Sequence, residues 1–182
     1  MDYPSELETV FTMKNSKKVS FRPKQSGDTE MLWEMFSTLS EKSLSNLAPR
    51  FTRERIEEWT SNIDYDKVLT IVAVMDKNSE QRIVGSASLS FNQREVFRHT
   101  TELGITVHDS CQNMGIGSAM LKHLLDIAKM KKLTKVSLNV DSDSDRAIHI
   151  YKKAGFEIEG KLRNEKYHKG KYSDEYRMAI FL

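Results

Sequence analysis

Apolar and polar positions along this chain alternate in short runs, interrupted by four stretches with helical spacing. "KVSFRP" (18–23) predicts a first strand, stopped by Pro23. Asp28 is a candidate N-cap for a helix whose apolar stripe is Met31, Leu32, Met35, Phe36 and Leu39, one face at a 3.6-residue period. Thr52 is a candidate cap for a second, shorter helix carrying Ile56 and Trp59. The period then falls to two. "VLTIVAVMD" and "RIVGSASLSF" predict a hairpin across "KNSEQ", and "RHTTELGITV" a further strand. Leu121, Leu124, Leu125 and Ala128 mark the buried face of a long helix ending in "KMKK". A short strand, "KVSLNV", precedes the helix "SDRAIHIYKKAGF", which Gly155 is placed to close. "FEIEGKLRNEKY" and "YSDEYRMAIFL" predict a last hairpin turning at His168 to Lys171. The order β-α-α-β-β-β-α-β-α-β-β describes a mixed α/β sheet in one domain, neither a regular βαβ alternation nor a bundle.

Residues 1–17 show no sustained period and read as a loosely held N-terminal extension, which leaves 18–182 as the domain. The length of 182 residues suits a single core. An apolar share of 38% and a charged share of 30% exclude collagen-like and disordered classes. A net charge of +2 gives no argument for nucleic acid. The lysine cluster Lys129, Lys131, Lys132 and Lys135 is accounted for by a helix C-terminus favouring cations on a solvated face. With no run of 18 apolar residues and no signal-like start, neither a membrane span nor export is expected, and the cytoplasm is the expected location. Cys111 stands alone, so no internal disulfide can form. The five histidines lack metal-ligand spacing, and "DSDSD" lacks the glycine and distal glutamate of a calcium loop, so no metal is expected.

The segment "ELGITVHDSCQNMGIGSAM" (102–120) carries the candidate chemistry. Gly115 and Gly117 fall where a strand gives way to a helix. A helix N-terminus offers unpaired N–H groups and partial positive charge, and glycine lets an anion approach them closely. The same two glycines would also make a tight corner with no ligand at all. A dinucleotide fingerprint is excluded because its third glycine position holds Met120, and a triphosphate loop because Ser118-Ala119 follows Gly117.

Gln112-Asn113-Met114-Gly115-Ile116-Gly117, after a strand ending in Val107, resembles the Q/R-x-x-G-x-G/A motif of the GNAT family of N-acetyltransferases. "SDRAIHIYKKAGF" resembles the family's N-x-x-A-x-x-x-Y-x-x-x-G-F segment, with Ala147, Tyr151, Gly155 and Phe156 in register. The ending from Glu157 to Leu182 resembles the branch that includes spermidine and other small-amine acetyltransferases. One departure is Asp145, where the family usually has Asn; as a carboxylate it can cap a helix but cannot donate as an amide does. The resemblance implies a central, mostly antiparallel mixed sheet with helices on both faces, and acetyl-CoA as cosubstrate. It implies cofactor contacts at Ile105, Thr106 and Val107 on the strand and at Gln112, Asn113, Met114, Gly115, Ile116, Gly117 and Ser118 in the loop. Further implied contacts are Asn139, Asp145, Ala147, Tyr151 and Lys153.

The implied reaction is direct acetyl transfer to an amine, which must be neutral to attack and so needs a base. Glu102 is the candidate base, through water; it shares a face with Gly104 and Thr106 and would otherwise be a solvated or salt-bridged strand residue. Tyr151 is the candidate acid to the departing thiolate, its other reading being an aromatic anchor flanked by Ile148 and Ile150. A main-chain N–H near Ile105 to Val107 would serve the developing oxyanion, where the family strand splays from its neighbour. An acetyl-cysteine at Cys111 is disfavoured, since it lies on the phosphate side of the loop. The acceptor, a small amine or a protein lysine or N-terminus, would be built by "FSTLSEKSLSNLAPRFTRERIEEW" and the last hairpin. The alternative is a silent acyl-CoA-binding regulator. Many relatives pair as dimers, and the apolar ending "MAIFL" is compatible with a homodimer.

Overall fold

A computed structural model describes residues 2–182 apart from 14, 46, 48–50, 78 and 79. Its strands are β1 (Thr9–Thr12), β2 (Lys18–Pro23), β3 (Val68–Lys77), β4 (Glu80–Phe91), β5 (Thr100–Val107), β6 (Lys135–Asp141), β7 (Glu157–His168) and β8 (Lys171–Phe181). Its helices are α1 (Thr29–Ser37), α2 (Glu41–Ser45), α3 (Arg53–Ser61), α4 (Ile116–Met130) and α5 (Asp145–Lys153). They form one sheet in the order β1-β2-β3-β4-β5-β6-β8-β7, antiparallel everywhere except between β5 and β6.

Successive residues of a strand face opposite sides, and β3 shows both faces covered. Leu69, Ile71 and Ala73 join a core with α4, whose Met120, Leu124 and Ile127 are fully buried, and with Ile148 of α5. Val72 and Val74 face the other way and join Ile83, Leu32, Met35, Phe36 and Ile56 under α1 and α3. The expected buried stripes of α1 and α4 are therefore the ones observed. Ile127→Val removes one methyl group from a position with no exposed surface, so an unfolding free energy lower by about 0.5–1.5 kcal/mol is expected in a denaturant titration.

Three expectations change. The segment expected as a loose extension supplies β1, which pairs with β2 from Thr9↔Phe21 to Thr12↔Lys18, while Leu7 and Met13 are buried in the core. Asp28 does not cap α1 with its side chain. It is 2% exposed and takes a two-pronged ion pair from Arg22 (2.6 and 2.8 Å) and the Gln25 N–H (2.7 Å), because a buried carboxylate is held best by a guanidinium fork. Asp145 opens α5 as its first residue, with Ser144 ahead of it and no side-chain cap. Thr52, by contrast, accepts from the Arg55 N–H at 3.3 Å as expected of a cap, and Gly155 has the left-handed φ of +98° that ends a helix. Part of the expected β3–β4 loop and of the segment between α2 and α3 lies outside the described residues.

Candidate functional site

The parallel pair β5–β6 is joined only at Thr100↔Lys135, Thr101↔Val136 and Glu102↔Ser137. Beyond that point β5 stays paired to β4 as far as Val107, and β6 to β8 as far as Asp141, so the two strands part and the sheet opens between them. The His108 N–H bonds Val84 O, which places the even-numbered residues of β5 in the ladder with β4. By alternation the Leu103 N–H closes the last β5–β6 bridge, at Glu102↔Ser137, and the N–H and C=O groups of Ile105 and Val107 point into the opening.

An open cleft of about 1500 Å³ occupies this gap. One wall is the loop into α4. Asn113 and Gly115 both have positive φ, +65° and +87°, and a Cβ on Gly115 would come within 3.3 Å of the Phe11 ring. The chain itself therefore requires glycine at 115. At 117 it does not, since an added Cβ would make only an ordinary 3.5 Å contact with Val107. The first bond of α4 runs from the Ala119 N–H to Gly115 O, leaving the Ile116, Gly117 and Ser118 N–H groups without a helical acceptor beside the cleft. The first turn of α4 carries no acidic side chain, so its field there favours an anion. These donors, and the space left by the missing Cβ of Gly117, fit a pyrophosphate.

Of the expected cofactor residues, the cleft is lined by Ile105 and Val107, by Gln112, Asn113, Gly115, Ile116, Gly117 and Ser118, and by Asp145, Ala147 and Tyr151. Thr106, Met114, Asn139 and Lys153 do not line it. Thr106 lies on the other face of β5 with its main chain committed to β4, and Met114 packs against the core. Asn139 is exposed and takes a hydrogen bond from Arg177 (3.1 Å), while Lys153 is an exposed residue of the last turn of α5.

Tyr151 packs its ring against Phe156 (5.8 Å between centroids), and burial pushes its phenol up to about 12. Glu102 is outside the cleft lining, at the apex where β5 and β6 part, on the face opposite Leu103 and Ile105. Its Oε1 accepts from Arg177 Nη1 at 3.2 Å, and Arg177 also donates to Ser137 Oγ at 2.7 Å. Cys111 is a buried residue of the cleft lining, with its Sγ 3.6 Å from Ser110 Oγ. Among the described residues, no group of three or more His, Cys, Asp or Glu side chains is arranged to hold a metal ion, and no helix is long and apolar enough to cross a membrane.

From the sequence, hairpin residues Tyr167, Tyr172, Asp174 and Glu175 could be named as groups for a cationic acceptor, but not how the polar groups along the cleft pair with one another. Lys166 sits between Asp141 (2.6 Å) and Glu175 (2.9 Å); burial alone would lower its ammonium, but the two carboxylates outweigh burial and raise it. Lys169, at the hairpin tip, pairs with Glu41 of α2 at 2.8 Å and holds that exposed carboxyl below its ordinary range. Asp109 accepts from the Ser40 N–H (2.7 Å), Ser40 Oγ (3.0 Å) and Ser43 Oγ (2.6 Å). Burial would raise its carboxyl, but these hydrogen bonds prevail and hold it low. None of the three arrangements has a local signal, since the partners lie 9 to 128 residues apart.

The model of the Acetyltransferase (GNAT) family matches residues 30–156. The L-amino acid N-acetyltransferase AaaT of Escherichia coli is 31% identical over 117 residues, 64% of this chain and 70% of that protein. The Spermidine N(1)-acetyltransferase of the same organism is 36% identical over 81 residues, 44% of each chain, so that match spans less than half of the relative. In structure, the GNAT domain of an S. lividans protein, PAT, superposes with a TM-score of 0.78 over the whole of both chains at 17% identity, a likeness of fold. Sheet, cleft and comparisons agree: this chain belongs to the GNAT family and is an acetyl-CoA-dependent N-acetyltransferase.

Proposed function

We propose that this chain acetylates a small primary amine, with Tyr151 as acid and Glu102 as base. The observation that carries the reading is the parting of β5 and β6 directly beside a glycine-tied helix N-terminus. Acetyl-CoA supplies an activated acetyl thioester, and the N–H groups of Ile116, Gly117 and Ser118 would hold its pyrophosphate. The outward N–H groups of Ile105 and Val107 would receive the carbonyl oxygen as charge develops on it. As the amine nitrogen bonds to the acetyl carbon and the C–S bond breaks, Tyr151 gives its proton to sulfur. Glu102 receives the amine proton through water at the apex of the splay. Its exposure leaves room for that water, and Arg177 holds its carboxylate in place.

A small acceptor is favoured by the names of the two relatives, an amino-acid and a spermidine acetyltransferase. The Lys169–Glu41 contact also joins the hairpin tip to α2 at the acceptor end of the cleft, narrowing it against a protein chain. The test is CoA release, followed with a thiol reagent over amino acids, polyamines and lysine peptides, each against a blank without amine. Release with one small-amine class is the expected result. Cofactor binding with silence across the whole panel would sink it and leave the regulator reading.

Gly115→Ala tests the loop. Alanine at φ +87°, pressed toward the Phe11 ring, strains the backbone by about 1–3 kcal/mol. The expected result is a roughly tenfold weaker acetyl-CoA affinity by calorimetry, since about 1.4 kcal/mol is a factor of ten; an unchanged affinity would dissociate loop geometry from binding.

A further inference from the structure

Asp109 serves nothing in the reaction just described, yet its carboxylate accepts four hydrogen bonds at the cleft. It stands in the single turn of 3-10 helix Asp109–Cys111, between the end of β5 and the glycine loop. Its Oδ2 takes the Ser40 N–H, and its Oδ1 takes the hydroxyls of Ser40 and Ser43 and the Nε2 of Gln112 (3.2 Å). Next to it, His108 Nε2 lies 3.1 Å from Thr38 Oγ1, while its Nδ1 lies 2.8 Å from Ser110 Oγ. One carboxylate thus ties the side chain that opens the glycine loop to the start of α2, 66 to 69 residues earlier in the chain.

What it ties matters at both ends. Glu41, Ser43 and Leu44 of α2 line the cleft away from the glycine loop, and Gln112 lines it at the loop. Helix α2 has only five residues, too few to hold itself by its own hydrogen bonds. Its first residues are bonded from outside by Asp109 and, at Glu41, by Lys169 across an exposed pair of small worth, while Leu44 further along packs on the core under α1 and α3. The seat of the first residues of α2 is thus bonded to Asp109, and Asp109 is bonded to Gln112 of the loop.

We infer that Asp109 is a positioning residue that transmits occupancy of the cofactor loop to α2, so that the acceptor end of the cleft is ordered only when the loop is filled. The inference rests on the assignment of that loop to acetyl-CoA. A ligand that removes freedom from residues 109–117 removes it from α2 through the shared carboxylate, and this coupling is reciprocal. Asp109 touches no reacting atom in this scheme.

The experiment is amide hydrogen exchange on the full chain, wild type and Asp109→Ala, with and without saturating CoA. In the wild type CoA is expected to slow exchange at 112–118 and, roughly fivefold or more, at 40–45. In Asp109→Ala the slowing at 112–118 should persist and that at 40–45 should vanish. Ser43→Ala, which cuts the 2.6 Å bond from the other side, should reproduce part of that loss and stands in if Asp109→Ala fails to fold. Equal slowing at 40–45 in the variants would mean that CoA meets α2 directly, and would overturn the inference. So would an indifferent α2 in a wild type whose loop is protected. Absence of protection everywhere would instead strike at the assignment of the loop to acetyl-CoA.

Discussion

Tyr151→Phe is expected to lower kcat by about 10²- to 10⁴-fold while leaving the acetyl-CoA Kd within about twofold, because a positioned acid contributes at that scale. The split follows from what the side chain does. Its ring is the part that packs, against Phe156 at 5.8 Å, and phenylalanine keeps that contact. Only the hydroxyl is lost, and with it the proton that the proposed mechanism gives to the departing sulfur. The pH profile carries the same argument. Burial pushes the phenol up to about 12, so it keeps its proton throughout the range in which the fold can be assayed. Wild-type kcat should therefore show no alkaline fall from this group below roughly pH 10. A weaker Kd with kcat intact would instead assign Tyr151 to holding the cofactor.

The residues that anchor this cleft were legible because local sequence expresses them. Gly115 occupies a position that demands a positive φ, and the 3.6-residue stripe of Leu121, Leu124, Leu125 and Ala128 points one face of α4 at the sheet. The parting of β5 and β6 has no such expression. It is a pairing that does not occur, and Leu103, Ile105 and Val107 alternate just as they would in a closed sheet. Strand β1 was invisible for another reason: its four residues bury nothing fully, so they show no period, and its neighbour β2 defines it. Asp28 illustrates a third limit. Its position before an apolar stripe is a good cap signal, but Arg22 on the preceding strand offers a stronger partner, and the tertiary ion pair displaces the local one. Asp109 and Glu102 follow the same rule, their meaning set by Ser43 and Arg177 far along the chain.

Between pH 6 and pH 9 the protein is expected to gain about 2–3 kcal/mol of stability from Lys24 alone, an increment that Lys24→Met should abolish. Lys24 follows β2 and is 3% exposed; its ammonium donates to the Trp59 carbonyl in the last turn of α3 and lies 4.0 Å from the centre of that indole ring. Burial lowers its pKa to about 7 despite the opposing pull of Asp28. In the unfolded chain the same group titrates near 10.5. Between those values the unfolded state binds the extra proton, so stability rises with pH from about 7 and is flat below. Methionine keeps the bulk and polarisable contact with Trp59 but carries no proton, and it leaves the Trp59 carbonyl without this donor. The variant should therefore lose ground to the wild type at pH 9 and recover it at pH 6. Histidines titrate in the same window in both proteins, so the quantity to measure is the difference between wild-type and variant denaturation free energies at each pH. A difference that stays constant from pH 6 to pH 9 would show that Lys24 holds the same protonation state folded and unfolded, and that the carbonyl and indole of Trp59 stabilise its charge enough to offset burial.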